Sequence, residues 1–219
     1  MIKVTGLCRD YGKLRAVDNL TFKVEPGQVL GLVGPNGAGK TTTLRMLAGI
    51  IRPSSGTINL AGHDLSQAPL KAKSNTGYVP DDPRLFDSLT VDEHLSLTAS
   101  LYRLSDFEHE AQTLIDQFDL TDKRNAPADS LSLGMRQKLA ICCAYLIAPP
   151  VLIFDEPLTG LDPRGILTIQ RSIKARAAAG ASIIISSHLL SMVESLCTHI
   201  LILQQGRNLL HDSLDNVVN

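Results

Sequence analysis

The sequence lacks the composition of a nucleic-acid-binding protein. It has no tryptophan, aromatic residues make up only 4% of its 219 residues, and its formal net charge at pH 7 is −1. Aromatic side chains supply the stacking platform for single-stranded bases, and a basic patch attracts nucleic-acid phosphates. The basic residues here are scattered along the chain. No nucleic-acid partner is therefore expected.

The cysteines form neither a CxxC pair nor a His/Cys spacing typical of zinc sites. They are Cys8, Cys142, Cys143 and Cys197. Unpaired thiols favour a reducing compartment, so we expect a cytoplasmic location.

No apolar run is long enough to cross a membrane as a helix, which takes about 20 apolar residues. The longest apolar tract, residues 139–154, is interrupted by Pro149 and Pro150. The N-terminus also lacks the apolar core of a signal peptide. If this protein serves a membrane, we expect it to do so through a partner.

Short apolar and β-branched runs predict strands, several of them apolar on both faces, as in parallel strands covered by helices on both sides. The predicted strands are residues 2–5, 20–24, 29–33, 57–60, 77–79, 151–154, 182–186 and 198–203. Between residues 88 and 147 helical patterns dominate. Thr90 and Glu93 form a capping-box pattern that predicts a helix from Val91, and Ser105 with Glu108 forms a second one. The sequence predicts an α/β fold with a helical insert.

The segment VGPNGAGKTTT has the pattern of a phosphate-binding loop between a predicted strand (29–33) and a predicted helix (42–48). Glycines let backbone N–H groups turn toward phosphate oxygens, and the helix N-terminus adds partial positive charge. Lys40 is expected to reach the terminal phosphates, and the Thr41 hydroxyl is expected to ligate Mg²⁺. The predicted loop residues are Gly34, Pro35, Asn36, Gly37, Ala38, Gly39, Lys40, Thr41 and Thr42. The pattern predicts a nucleoside triphosphate site.

Two pairs of adjacent acids follow predicted strands. Asp155 and Glu156 end the apolar run 151–154, at the sheet edge where ligands bind in open α/β folds. There Asp155 can hold Mg²⁺, and Glu156 can accept a proton from an attacking water. Asp81 and Asp82 follow residues 77–79 and Pro80. From the residues alone, this second pair is a metal site, a catalytic pair or a solvated turn, and turns commonly contain Asp and Pro.

A fourth segment, Leu131-Ser132-Leu133-Gly134-Met135, lies between the phosphate loop and Asp155. Together with them, in this order, it makes nearly the whole chain resemble the ATP-binding subunit of ABC transporters, whose signature has the form LSGGQ. The resemblance implies a P-loop NTPase fold of the RecA type, with a mainly parallel sheet, N-terminal antiparallel strands and a helical insert. The expected divisions are residues 1–87 with the phosphate loop, 88–147 with the signature, and 148–219 with the acidic strand end.

The resemblance also implies further site residues. His188 in IIISSHLL is expected to hydrogen-bond the γ-phosphate or to orient the attacking water, in a catalytic set with Glu156 and Lys40. Asp81 occupies the position where the family usually has a Gln beside Mg²⁺, which makes it a candidate metal ligand with Thr41 and Asp155. The added nucleotide-binding residues are Tyr11, which matches the adenine-stacking aromatic, Val17, Ser132, Gly134 and Met135.

The implied function is ATP hydrolysis that powers transport. Two such subunits, as a homodimer or a heterodimer, are expected to pair head to tail around two ATP on the cytoplasmic face of a membrane. A separate polytopic permease is the expected partner, with Leu85, Phe86 and Leu89 as candidate contacts. Leu133 and Met135 depart from the usual signature and are similar to an exporter-type subgroup with GMRQ, so export is expected. The alternative is a soluble ABC ATPase acting on ribosomes or DNA.

Overall fold

The structure, a computed structural model, describes residues 1–188 and 190–218. Within these residues the chain forms ten strands and eight α-helices. The strands are β1 (Ile2–Tyr11), β2 (Leu14–Val24), β3 (Val29–Val33), β4 (Ser55–Leu60), β5 (His63–Asp64), β6 (Thr76–Val79), β7 (Val151–Asp155), β8 (Ser182–Ser187), β9 (His199–Gln204) and β10 (Arg207–Ser213). The helices are α1 (Lys40–Leu47), α2 (Pro69–Ser74), α3 (Val91–Tyr102), α4 (Glu108–Gln117), α5 (Leu133–Leu146), α6 (Pro163–Ala178), α7 (Leu190–Leu196) and α8 (Leu214–Val218).

The larger sheet has the strand order β10-β9-β3-β8-β7-β6, and all its neighbours are parallel except the edge pair β10 and β9. Every residue of β3, β7 and β8 is buried. This burial explains why these strands are apolar on both faces, since helices cover each side of a parallel sheet. The predicted α/β class with a mainly parallel sheet is confirmed.

A second, antiparallel sheet has the order β2-β1-β4-β5. Its inner face packs with α1 and with the larger sheet in one core cluster, which includes Leu7 and Leu20 of this sheet, Leu44 of α1 and Ile184 of β8. The pairing of β1 with β2 slips between Arg9 and Asp10, which leaves Ala16 of β2 out of the register. This irregularity lies beside the phosphate loop.

Helices α3, α4 and α5 lie between β6 and β7 in the chain. The predicted start at Val91 is confirmed: Thr90 Oγ1 accepts from Glu93 N at 3.2 Å, and Glu93 Oε2 accepts from Thr90 N at 2.8 Å. This reciprocal pair satisfies two backbone donors at the helix N-terminus. The division of the chain at residues 87 and 147 stays a prediction.

Two predicted helix starts differ from the structure. Helix α4 begins at Glu108 with Phe107 as its N-cap and no side-chain cap, so the capping box predicted at Ser105 is wrong. Asp106 adopts a left-handed φ of 54°, and this turn separates Ser105 from the first helical residues. Helix α1 begins at Lys40 rather than at residue 42, because the left-handed Gly39 directly before it is the N-cap.

None of the helices in the described part of the chain is long and apolar enough to span a membrane.

Candidate nucleotide site

The phosphate loop runs from the end of β3 to the start of α1, and its backbone leaves room only for glycine at two positions. A Cβ on Gly34 would lie 2.3 Å from the carbonyl oxygen of Leu203. Gly39 has a φ of 104°, and a Cβ there would lie 2.6 Å from the Ala16 carbonyl oxygen. Without side chains at these positions, the loop can follow a path close to a bound anion.

The turn between β9 and β10 is hydrogen-bonded to the phosphate loop. Gly206 N donates to Ala38 O at 3.0 Å, and Asp18 N donates to Gly206 O at 2.9 Å. Val17 is fully buried, and its Cγ2 lies 3.4 Å from where a Gly39 Cβ would be. The side chain of Val17 therefore packs beneath the loop, and its place in the nucleotide site stays a prediction. Sequence reasoning missed Gly206, although the Gln205-Gly206 pair after an apolar strand is typical of a turn.

Lys40 lies over the loop that it follows. Its Nζ donates to Gly34 O at 2.7 Å and to Pro35 O at 3.2 Å. The side chain is largely buried, with 8% of the residue exposed. The loop's backbone N–H groups, the N-terminus of α1 and this ammonium group together favour an anion at this point.

Asp155 lies at the end of β7 and is fully buried. Its Oδ1 accepts from Ser186 Oγ at 2.6 Å and from Thr41 Oγ1 at 3.3 Å. Its Oδ2 is buried without a hydrogen-bond partner among the described residues. A buried carboxylate oxygen beside a threonine hydroxyl is the kind of oxygen donor set that Mg²⁺ takes. Thr41 and Asp155, which are far apart in the sequence, are thus brought together, and their role as metal ligands stays a prediction.

Burial raises the pKa of Asp155, and the charges of Asp81 and Glu156 raise it further. The hydrogen bonds from Ser186 and Thr41 act in the opposite direction, because they stabilise the carboxylate. Ser186 was missed in the sequence, although it is part of the Ser-Ser-His run after an apolar strand. Its hydroxyl also accepts from Glu156 N at 2.9 Å, so it holds both acids in place.

Glu156 and His188 form the second polar pair of the site. His188 Nδ1 lies 3.0 Å from Glu156 Oε2, and the side chains are 58% and 22% exposed. Glu156 has a left-handed φ of 48°, which is uncommon for a residue other than glycine and is found at functional sites. A cavity of about 200 Å³ borders both residues. A second cavity, of about 570 Å³, borders His188 together with Pro35 and Asn36 of the phosphate loop.

Asp81 follows β6, the strand that pairs with β7, and is exposed. Its charge helps to raise the pKa of Asp155. It also contributes, after burial and the charge of Asp155, to raising the pKa of Tyr78 to about 12. Asp81 is therefore part of the acidic edge, whereas its role as a metal ligand stays a prediction. Asp82 is exposed in the same bend.

The remaining predicted residues lie at two other places. Tyr11 ends β1 and is 45% exposed. Ser132 is the N-cap of α5, and its Oγ accepts from Met135 N at 3.3 Å. Gly134 lies in the first turn of that helix, where a Cβ would lie 3.0 Å from Gly160 O. The roles of these residues toward a nucleotide stay predictions.

Comparison with known proteins shows a family with this fold and with a nucleotide site. Residues 17–159 match the family model described as ABC transporter. The chain belongs to the ABC transporter family. It is an ATP-binding and ATP-hydrolysing subunit of that family, so the resemblance seen in the sequence is confirmed. The finer assignment to a subgroup with a GMRQ signature stays a prediction.

Two proteins among the relatives of this ABC ATPase illustrate the similarity. The ABC-type transporter ATP-binding protein EcsA of Bacillus subtilis is 36% identical over 208 residues, which cover 94% of this chain and 84% of that protein. The Nod factor export ATP-binding protein I of Cupriavidus metallidurans is 37% identical over 224 residues, which cover 100% of this chain and 74% of that protein.

Solved structures agree. An ATP-binding subunit of an ABC transporter is 35% identical with a TM-score of 0.95, covering 99% of this chain and 91% of that one. A dimeric bacterial ABC transporter cassette shares the fold at 23% identity, with a TM-score of 0.89 over 98% of this chain and 99% of that one.

Proposed function

We propose that this ABC ATPase subunit closes head to tail with a second subunit around two Mg²⁺-bound ATP molecules and drives export through a separate membrane-spanning partner. The observation that carries the proposal is the convergence of two polar pairs beside the phosphate loop. Thr41 donates a hydrogen bond to Asp155, and His188 Nδ1 lies within hydrogen-bond distance of Glu156. A metal-binding pair and a water-activating pair at one sheet edge are what ATP hydrolysis requires.

Mg²⁺ would be held by Thr41 Oγ1 and by the unpartnered Oδ2 of Asp155, with Asp81 at the edge of the site. When bound, the ion supplies charge neutralisation for the terminal phosphates. Lys40 adds a second positive charge, and the N–H groups at the start of α1 point toward the same anion. These groups of the chain orient the γ-phosphate before any bond is broken.

Glu156 would accept the proton of the attacking water. Its backbone is fixed by the bond from Glu156 N to Ser186 Oγ, and its carboxylate is oriented by His188 Nδ1. With Nδ1 directed to Glu156, the Nε2 of His188 remains for a phosphate oxygen.

The second subunit would supply the N-terminus of its helix α5 to the phosphate loop of the first subunit. Ser132 is exposed at the N-terminus of α5, a 14-residue helix. The free N–H groups and partial positive charge of that terminus suit the γ-phosphate held by the other subunit. Ser132, Gly134 and Met135 would then cover the open side of the site, where His188 is exposed.

The membrane partner would dock in a groove of about 260 Å³ between β6, α3 and α5. Pro80, Leu85, Tyr102 and Ile147 are among the residues that line it. Pro80 and Pro83 of the groove lie on either side of Asp81 in the chain. A partner bound there would therefore contact the segment that carries the acidic edge of the site. An amphipathic segment of a permease on the cytoplasmic face suits this apolar lining. The names of the similar Nod factor export proteins support export.

The neighbouring aromatic, Phe86, tests the docking. It is 63% exposed and its ring lies 6.3 Å from that of His94. Phe86→Ser should abolish copurification of a polytopic membrane protein while ATP turnover is retained. Leu209→Ser, at a residue 61% exposed on β10, is the matched control and should copurify normally. Equal copurification of both variants would contradict a docking surface that extends from this groove over Phe86.

Glu156→Gln tests the catalytic part of the proposal. We expect hydrolysis to fall by about 10²- to 10⁴-fold, and ATP should accumulate in a stable dimer that light scattering detects. Glu194→Gln, at an exposed position of α7, is the matched control and should retain turnover. Unchanged turnover in Glu156→Gln would exclude Glu156 as the base. A variant that binds ATP as a monomer at all concentrations would contradict the head-to-tail dimer.

A further inference from the structure

Arg9 covers one face of the Tyr11 ring. Its guanidinium carbon lies 4.5 Å from the ring centroid. Tyr11 is at the end of β1 and remains 45% exposed, so part of the ring stays open to solvent. We infer that Arg9 is a positioning residue that holds this ring ready to stack on the adenine base. The inference rests on the proposed ATP-binding function and on the predicted place of Tyr11 in the nucleotide site, and it names the group that acts through Tyr11.

The guanidinium is itself held in place. Arg9 Nη1 donates to the Arg52 carbonyl oxygen at 2.8 Å. Its Nε is buried and has no hydrogen-bond partner within residues 1–188 and 190–218. A buried N–H without a partner costs free energy, and the electron-rich face of an aromatic ring offsets part of that cost for a cation. Arg9 is therefore fixed between a carbonyl group and the ring.

This arrangement suits a stacking platform. An exposed tyrosine side chain loses rotamer freedom when a ligand immobilises it, which weakens binding. Arg9 restricts the ring before the base arrives. The cation also draws electron density toward its own face of the ring, so the opposite face presents less repulsion to the π system of a purine. The expected consequence is tighter binding of the base, with no effect on the chemistry at the phosphates.

Arg9 is not the only link between β1 and the segment after α1. Asp10 N donates to Ser54 Oγ at 2.9 Å, and Ser54 N donates to Cys8 O at 2.8 Å. These two bonds hold residues 52–54 beside β1 when the Arg9 side chain is removed. Replacement of Arg9 is therefore not expected to detach residues 52–54 from β1.

The test compares Arg9→Ala and Arg9→Lys with the wild-type chain. In Arg9→Ala we expect the KM for ATP to rise about two- to fivefold, with kcat unchanged. The inhibition constant of Mg²⁺-tripolyphosphate, which has no base, should not change. Arg9→Lys keeps a cation for the ring and should recover part of the affinity. Arg15→Ala is the matched control, because Arg15 lies on the same hairpin and pairs with Asp10 and Asp18; its KM should remain that of the wild type.

A double variant separates this inference from the proposed stacking. If Arg9 acts through the ring, Arg9→Ala should add no further rise in KM to Tyr11→Ala. An equal rise in both backgrounds, or a matching loss of tripolyphosphate affinity, would show a general structural role and overturn the inference. If Tyr11→Ala alone leaves the KM for ATP unchanged, the predicted stacking role of Tyr11 and this inference fail, whereas the proposed ATPase function stands.

Discussion

Replacement of Asp155 by Asn should stabilise the nucleotide-free protein although it removes activity. The carboxylate is fully buried, and its Oδ2 has no partner among the residues that the structure describes. Asn has nearly the same shape and keeps an oxygen to accept from Ser186 and Thr41. The substitution removes one buried negative charge at an edge that also contains the acids Asp81 and Glu156.

The gain follows from the cost of an unsatisfied buried group, which is about 1 to 3 kcal/mol and larger for a charge. Because the Asn amide nitrogen also needs partners, we expect a net increase of about 2 kcal/mol in the free energy of unfolding. For a chain of this size, that corresponds to about 4 to 8 °C in Tm. Function, not stability, then explains why an acid is present at this position.

The effect has a defined pH dependence. The pKa of Asp155 in the folded protein lies above its ordinary value of 3.8, chiefly because of burial. The folded state therefore binds this proton more tightly than the unfolded state. As pH rises from 3.8 through the folded pKa, the wild type loses stability relative to Asp155→Asn. The difference between the two proteins should be small at the acid end and constant once Asp155 is fully ionised.

Urea unfolding at several pH values, without nucleotide or Mg²⁺, measures this difference. Asp82→Asn is the matched control, because it removes an exposed negative charge from the same bend as Asp81. Its stability should change by no more than about 0.5 kcal/mol. With Mg²⁺ and ATP at about 100 times the dissociation constant, the wild type should gain about 2.7 kcal/mol and Asp155→Asn much less. A nucleotide-free Asp155→Asn protein that is less stable than the wild type at neutral pH would refute this reasoning.

Two further tests examine local geometry by urea unfolding. Gly160→Ala should lower the free energy of unfolding by about 1 to 3 kcal/mol, because Gly160 has a φ of 76° and a Cβ would lie 2.8 Å from Leu133 Cδ2. In the Gly160→Ala background, Leu133→Gly should recover only the part of the lost free energy that comes from the clash with Leu133. Recovery of the whole loss would contradict a contribution from backbone strain at residue 160. Thr90→Ala removes a capping box and should cost about 1 kcal/mol, whereas Ser105→Ala should cost almost nothing. Equal costs at residues 90 and 105 would contradict the observed caps.

The sequence predicted the features that depend on local patterns. The central strands were visible because burial on both faces leaves continuous apolar runs, as at residues 29–33 and 151–154. The box at Thr90 was visible because its donor and acceptor are three residues apart. The pattern at Ser105 has the same spacing but failed, since Asp106 has a left-handed φ of 54° and Phe107, which packs against the core, is the N-cap instead.

Features that depend on distant segments were not predictable in the same way. Ser186 joins Asp155 and Glu156 only because β8 lies beside β7 in the sheet. Gly206 contacts the phosphate loop through the placement of the β9–β10 turn. The contact of Leu133 with Gly160 depends on where the loop after Glu156 lies against α5. Such contacts need the topology of the fold, which spacing along one chain does not contain.

The support of the phosphate loop by the β9–β10 turn also bears on how the protein is made. Lys40 and Thr41 are synthesised well before Leu203 and Gly206, whose backbone lies against the phosphate loop. Contacts between such distant segments form slowly, because a long loop of chain must close first. A growing chain that has completed only its first strands therefore has the phosphate-loop residues without their support. ATP affinity during synthesis would thus report that β9 and β10 have been made.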